Sequence, residues 1–149
     1  MPGGLAGAIP PRDSSAAQIK WKIPEGWSEV PPSAMRYASF SAGANSGKVD
    51  ISVVMFPGQG GSDADNVNRW RQQIGLPPMD GGRISASIAP VKAADATFAT
   101  IDIAGAKSRT VAAWTRRDGR TWFLKATGPN AVVEKEKPNF IKFIESVRF

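Results

Sequence analysis

The chain has 149 residues, 42% of them hydrophobic and 21% charged, with a net charge of +6 and a pI near 10.0. It has neither cysteine nor histidine, which excludes disulfides, thiolate metal sites, cysteine nucleophiles, Ser-His-Asp triads and the usual zinc sites. No run approaches the ~20 apolar residues of a membrane-spanning helix.

The length fits one domain, large enough to bury a core without metal or disulfide staples. The charge excess is uneven. Residues 1–75 hold 7 Lys/Arg against 6 Asp/Glu, or +1, and residues 76–149 hold 12 against 7, or +5. A basic half suits an anionic partner, or simply a soluble surface rich in lysine and arginine.

Residues 1–18 are dominated by Gly, Ala, Pro and Ser. They lack the basic and long apolar regions of a complete signal peptide and read as the tail of one or as a plain disordered leader. A single domain is expected over 19–149. Residues 19–27, "IKWKIPEGW", alternate as a strand that ends in a turn at Glu25-Gly26. Residues 34–40, "AMRYASF", read as a second strand and 41–48 as a loop. Residues 49–56, "VDISVVMF", form a third strand, β-branched enough to be central.

The stretch "FPGQGGSDADNVNRWRQQIGLPP" (56–78) predicts a strand-to-helix corner. Gly58, Gly60 and Gly61 permit the turn. Ser62, Asp63 or Asp65 can cap the helix, and acidic residues suit the positive end of its dipole. Val67, Trp70 and Ile74 share one apolar face, with Trp70 as the anchor on the sheet. Gly75 and Pro77-Pro78 stop the helix.

Residues 83–94 are ambiguous between strand and loop, and 96–105 read as a strand. Asp118-Gly119, between two alternating runs, predicts a two-residue hairpin with a type I′ turn. That turn pairs Arg117 with Arg120. It puts Val111/Ala126, Ala113/Leu124 and Thr115/Trp122 on one face, expected to be core beneath a helix. Ala112/Lys125, Trp114/Phe123 and Arg116/Thr121 share the other, expected to be partly covered. The tail reads as a helix with an apolar stripe of Phe140, Phe143/Ile144 and Val147, and Pro138 is placed in the first turn of a second segment. The fold class is therefore α+β, an antiparallel β-sheet flanked by helices.

Little in the chain carries chemistry. "GQGG" before a helix can present amides to an anion, but no Gly-Lys-Ser/Thr follows, and Asp63 and Asp65 repel one. "DADN" lacks the remaining oxygen ligands of a calcium loop. No metal and no cofactor are expected. Asn68, Arg69 and Arg71 form the polar rim of the motif, fit either to clamp a carboxylate or phosphate or to tie down the corner. Trp114, Arg116, Phe123 and Lys125 mix rings with cations, a surface on which bases can stack, though core packing explains the rings more simply. No activated nucleophile or paired acids point to catalysis, so the chain is not expected to be an enzyme.

In order, "WKIPEGW", "MRYASF", "FPGQGG…DNVNRWRQQIGLPP", "WFLKATG" and "F…F…SVRF" resemble a family of small bacterial proteins. Its members are often exported or lipid-anchored and are common in Planctomycetes, Verrucomicrobia and some Proteobacteria. The chain departs from the exported pattern in lacking a signal peptide or a lipobox cysteine. The order of elements is also similar to the PsbP-like fold, an antiparallel sheet between helices. That resemblance implies a non-enzymatic binding or assembly domain of the cell envelope, with a protein partner. The alternative is a binder of a small anionic ligand or, less favoured, nucleic acid, through the basic half.

Overall fold

The computed structural model describes residues 19–33, 35–44 and 47–149. The leader expected over 1–18 lies outside them. Seven strands form one antiparallel sheet in the order β1-β2-β3-β7-β6-β5-β4. They are β1 (Ser28–Val30), β2 (Ala38–Ala44), β3 (Gly47–Pro57), β4 (Ala89–Lys92), β5 (Thr97–Ala104), β6 (Ser108–Arg117) and β7 (Arg120–Pro129). Helices α1 (Asp63–Gln73) and α2 (Gly81–Ser87) lie on one face, and α3 (Asn130–Glu145) on the other. The class is α+β, as the order of elements predicted.

Strand alternation sorts the side chains into two cores. Phe40, Ile51, Val53, Leu124 and Val111 point toward α3 and meet Phe140, Phe143, Ile144 and Val147, all of them at most 1% exposed. Ile101, Ile103, Ala112, Trp114 and Phe123 point the other way and meet Val67 and Trp70 of α1 and Ile84 of α2. The second core draws nothing from β1 and β2, and from β3 only the half-buried Val54 and Phe56. At that end the same face carries Ser39, Ser41, Asp50 and Ser52, so the sequence itself leaves α1 nothing apolar to cover there.

The hairpin register is the expected one, from Arg117↔Arg120 through Val111↔Ala126. Asp118 and Gly119 have φ of 53° and 73°, both positive, as a type I′ turn requires.

Other elements differ from expectation. Residues 19–27 do not form a strand. They contribute one bridge, Lys20↔Arg148, and the strand starts at Ser28, because Trp21 and Trp27 turn inward onto Phe40 and Phe143. The Trp27 indole also donates to Glu136 of α3 at 3.1 Å. Strand β2 begins at Ala38 rather than 34, and the expected loop over 41–48 is strand apart from residues 45 and 46, which are not described. The ambiguous 83–94 stretch divides into the end of α2 and β4, with Asp80 capping α2 through the amides of Gly82 and Arg83. Helix α3 runs unbroken through Pro138. Pro138 and Glu134, whose carbonyl loses its amide partner, both lie on the exposed flank, where the lost bond costs least.

Asp102 of β5 ties α3 to the sheet. Arg109 grips it with two bonds of 2.7 Å, and Lys137 adds a third of 2.7 Å. Burial pushes the Asp102 carboxyl up, but the hydrogen bonds from Arg109 and Lys137 override it and hold the group below its ordinary range.

Candidate functional site

The glycine-rich corner is built from the sheet outward. Gly58, Gly60 and Gly61 all have positive φ. Gly60 is the most constrained, since a Cβ there would stand 2.9 Å from the Phe123 ring. Ser62 caps α1, accepting from the Asp65 amide at 3.1 Å. The capping expectation thus falls to Ser62 rather than to either aspartate. Asp63 instead accepts from the Trp114 indole at 3.0 Å and from Arg116 at 2.9 Å. Arg116 also donates to the Gln59 and Gly61 carbonyls, and Asn66 to Gly60. The helix stops as Gly75 and Leu76 return amide bonds to Gln72 and Arg71, with Gly75 at φ 80°, the pattern of a Schellman stop.

These bonds divide the residues expected at a binding rim. Asn68 accepts from the Met79 amide at 2.8 Å and donates to its carbonyl at 3.1 Å. Arg71 donates to the Pro77 carbonyl at 2.8 Å. Arg116 is spent on the corner. Trp114 is 2% exposed beneath α1, so the hairpin face expected to be partly covered is core at that position. The other three, Arg69, Phe123 and Lys125, come together.

They line a cleft of about 250 Å³ at the step where the flank of α1 ends over the β3 and β7 strands. Trp70 and Gln73 form its helical side, and Arg36, from the turn before β2, closes it. Its three charged lining residues, Arg36, Arg69 and Lys125, are all cations. Arg36 forks onto Asp50 with bonds of 2.9 and 2.6 Å and reaches Ser39 at 3.1 Å. Arg69 and Lys125 have only neutral side-chain partners among the described residues. Arg69 donates to Asn66 at 2.7 Å and Lys125 to Gln73 at 3.3 Å, and neither pairs with a carboxylate. Lys125 also lies 5.9 Å from the centre of the Trp70 ring. Burial pushes the Lys125 ammonium below the ordinary lysine range. The Arg36 and Arg69 guanidiniums push the same way, and Asp50 pulls against them.

Such a group of like charges is unfavourable for folding and favourable for an incoming anion. The sequence reading missed Met35, Arg36, Ser52, Val54, Phe56 and Gln73. The strand alternation that placed Lys125 beside Phe123 contained a usable signal, since Ser52 and Val54 pair with them on the same face. Nothing local to residue 36 signals its neighbours.

A second depression, about 530 Å³, follows the outer flank of α1. Asp65 there offsets Arg69, and no aromatic side chain lines it, so it offers an anion less.

No protein-family model and no curated protein matches the chain. Among solved structures it is similar to the cyanobacterial PsbP protein, CyanoP, of Synechocystis sp. PCC 6803. The TM-score is 0.55 at 13% identity, and the match covers 97% of each chain. It also matches a protein of Bacteroides thetaiotaomicron VPI-5482 at TM-score 0.49 and 16% identity, covering 87% of this chain and 44% of that one. The likeness to CyanoP supports a PsbP-like fold. Among the described residues, no helix is long and apolar enough to cross a membrane.

Proposed function

We propose that this chain is a non-catalytic binding domain that holds an anionic group in the cleft formed by Arg36, Arg69 and Lys125. The observation that carries the proposal is that three cations converge on one cleft while, among the described residues, only Arg36 is answered by a carboxylate. Two of the three cations therefore have charge to offer a ligand, and Arg69 keeps guanidinium donors for a two-point grip on carboxylate or phosphate. The absence of histidine and cysteine supports binding without turnover. A place in the bacterial cell envelope belongs to the same proposal and rests on the sequence resemblance. The small-anion reading takes precedence over a protein partner because the charge is gathered in a cleft rather than spread over a flat face.

The test is a titration of the isotope-labelled protein with inorganic phosphate, followed by NMR at low and at high sodium chloride. Saturable shifts at the Trp70 indole and at the amides of Ser52, Arg69 and Lys125, weakened by salt, are expected. Shifts that never saturate, or that scatter over the basic half without the cleft, contradict the proposal.

A further inference from the structure

The cleft is graded along its length. On its floor Ser52 pairs across the strands with Lys125, and one step along the same face Val54 pairs with Phe123. The next residue of β3 on that face is Phe56, whose ring meets Phe123 edge-on at 5.9 Å between centroids. Trp70 meets Phe123 from the helix side at 6.0 Å. A hydroxyl and an ammonium thus stand at one end and an aromatic wall at the other, about 7 Å apart at two residues of strand rise. Met35 adds to the apolar side of the mouth. It is 74% exposed and held at φ 76°, a backbone region that a long side chain rarely occupies. The positive φ of a long side chain at the mouth of the cleft is a backbone outlier of the kind that clusters at ligand sites.

Resting on the reading of the cleft as an anion site, we infer that its ligand is a small organic anion. A carboxylate or phosphate head meets Arg69 and Lys125, and a compact apolar body attached directly to it lies against Val54, Phe56 and Trp70. The short spacing selects against a head separated from its body by a long polar linker. The volume of about 250 Å³ falls below the ~300–1,000 Å³ of pockets for drug-sized ligands, so the body is about the size of one ring.

The experiment is calorimetric titration of the full chain with four probes: phenyl phosphate, inorganic phosphate, benzoate and acetate. Each aryl anion is expected to bind about tenfold tighter than its small counterpart, a difference of 1.4 kcal/mol. That needs only ~55 Å² of apolar surface withdrawn from water at ~25 cal/mol/Å². The phosphate and carboxylate pairs show which head the cleft prefers. Val54→Thr keeps the side-chain shape and is expected to shrink the aryl advantage, read as the ratio of phenyl phosphate to inorganic phosphate affinity within the variant. Met35→Asn, at an exposed site and with a residue that tolerates positive φ, repeats the test without touching the core. Equal affinity for aryl and small anions overturns this inference and leaves the anion site standing. No binding of any of the four overturns both.

Discussion

Replacing Trp70 with alanine is expected to loosen α1 from the sheet. The indole is 4% exposed and packs on Trp114 at 5.6 Å and on Phe123 at 6.0 Å between centroids. Of the other α1 residues in this core, only Val67 is fully buried. Truncating a core aromatic residue costs ~3–5 kcal/mol, and the two ring contacts argue for the upper part of that range. The cleft argues for the lower part. Trp70 forms one of its walls, so the space left behind opens to water instead of remaining an empty cavity. The second effect wins where the void connects to solvent, and the expected loss is about 3 kcal/mol. At ~2–4 °C per kcal/mol for a chain near this size, the melting temperature falls by about 6–12 °C. Thermal unfolding followed by circular dichroism, paired with a urea titration, measures it. A melting temperature within about 2 °C of the parent would mean that Trp70 does not anchor the helix.

Three further outcomes are expected. Gly119→Val puts a β-branched residue at φ 73° with nothing within 4 Å of the new Cβ, so its cost of about 1–2 kcal/mol is purely conformational. Unchanged stability and unchanged amide exchange across β6 and β7 would reject the turn assignment. Asn68→Ala removes both bonds to Met79 and should lower stability by about 1–2 kcal/mol while leaving phosphate affinity intact; a matching loss of affinity in fully folded protein would place Asn68 in the site. Asp102 has a folded pKa below its unfolded value. Its contribution is therefore present above the unfolded pKa near 4 and lost as pH falls through the folded one. Asp102→Asn should thus be less stable than the parent at neutral pH and lose less on acidification, and parallel stability profiles from pH 7 to pH 2 would contradict this.

The parts of the fold legible in sequence are those fixed by local chemistry. Asp118-Gly119 set the register of β6 on β7, and Gly75 with two prolines marked the end of α1. The β-branched residues of β3 identified a central strand. What failed depended on distant partners. Trp21 and Trp27 read as strand residues because alternation carries no information about Phe143, more than a hundred residues away, onto which they fold. Pro138 read as a break because the packing of Phe140 and Phe143 that carries α3 through it is tertiary. For the candidate site the same division holds. Arg69, Phe123 and Lys125 were visible as cations and a ring near apolar periodic residues, whereas Arg36 joins them only through the pairing of β2 with β3. The hydrogen bonds of Arg71 and Arg116 to loop carbonyls could not be separated in sequence from a ligand-binding role, since a guanidinium serves either.

The central claim is that Arg69 and Lys125, the cleft cations with no carboxylate partner among the described residues, are kept for a ligand and not for the fold, and Lys125→Met tests it most directly. The lowered pKa of Lys125 means that its charged form weakens the folded state below the folded pKa, and that this penalty fades as pH rises through it. Methionine keeps the length of the side chain and removes the charge. At neutral pH the variant is expected to melt at or above the parent temperature while phosphate affinity drops about tenfold or more, as for loss of a charge-assisted hydrogen bond. A clearly lower melting temperature with phosphate binding unchanged would show that Lys125 serves the fold, and would contradict the account.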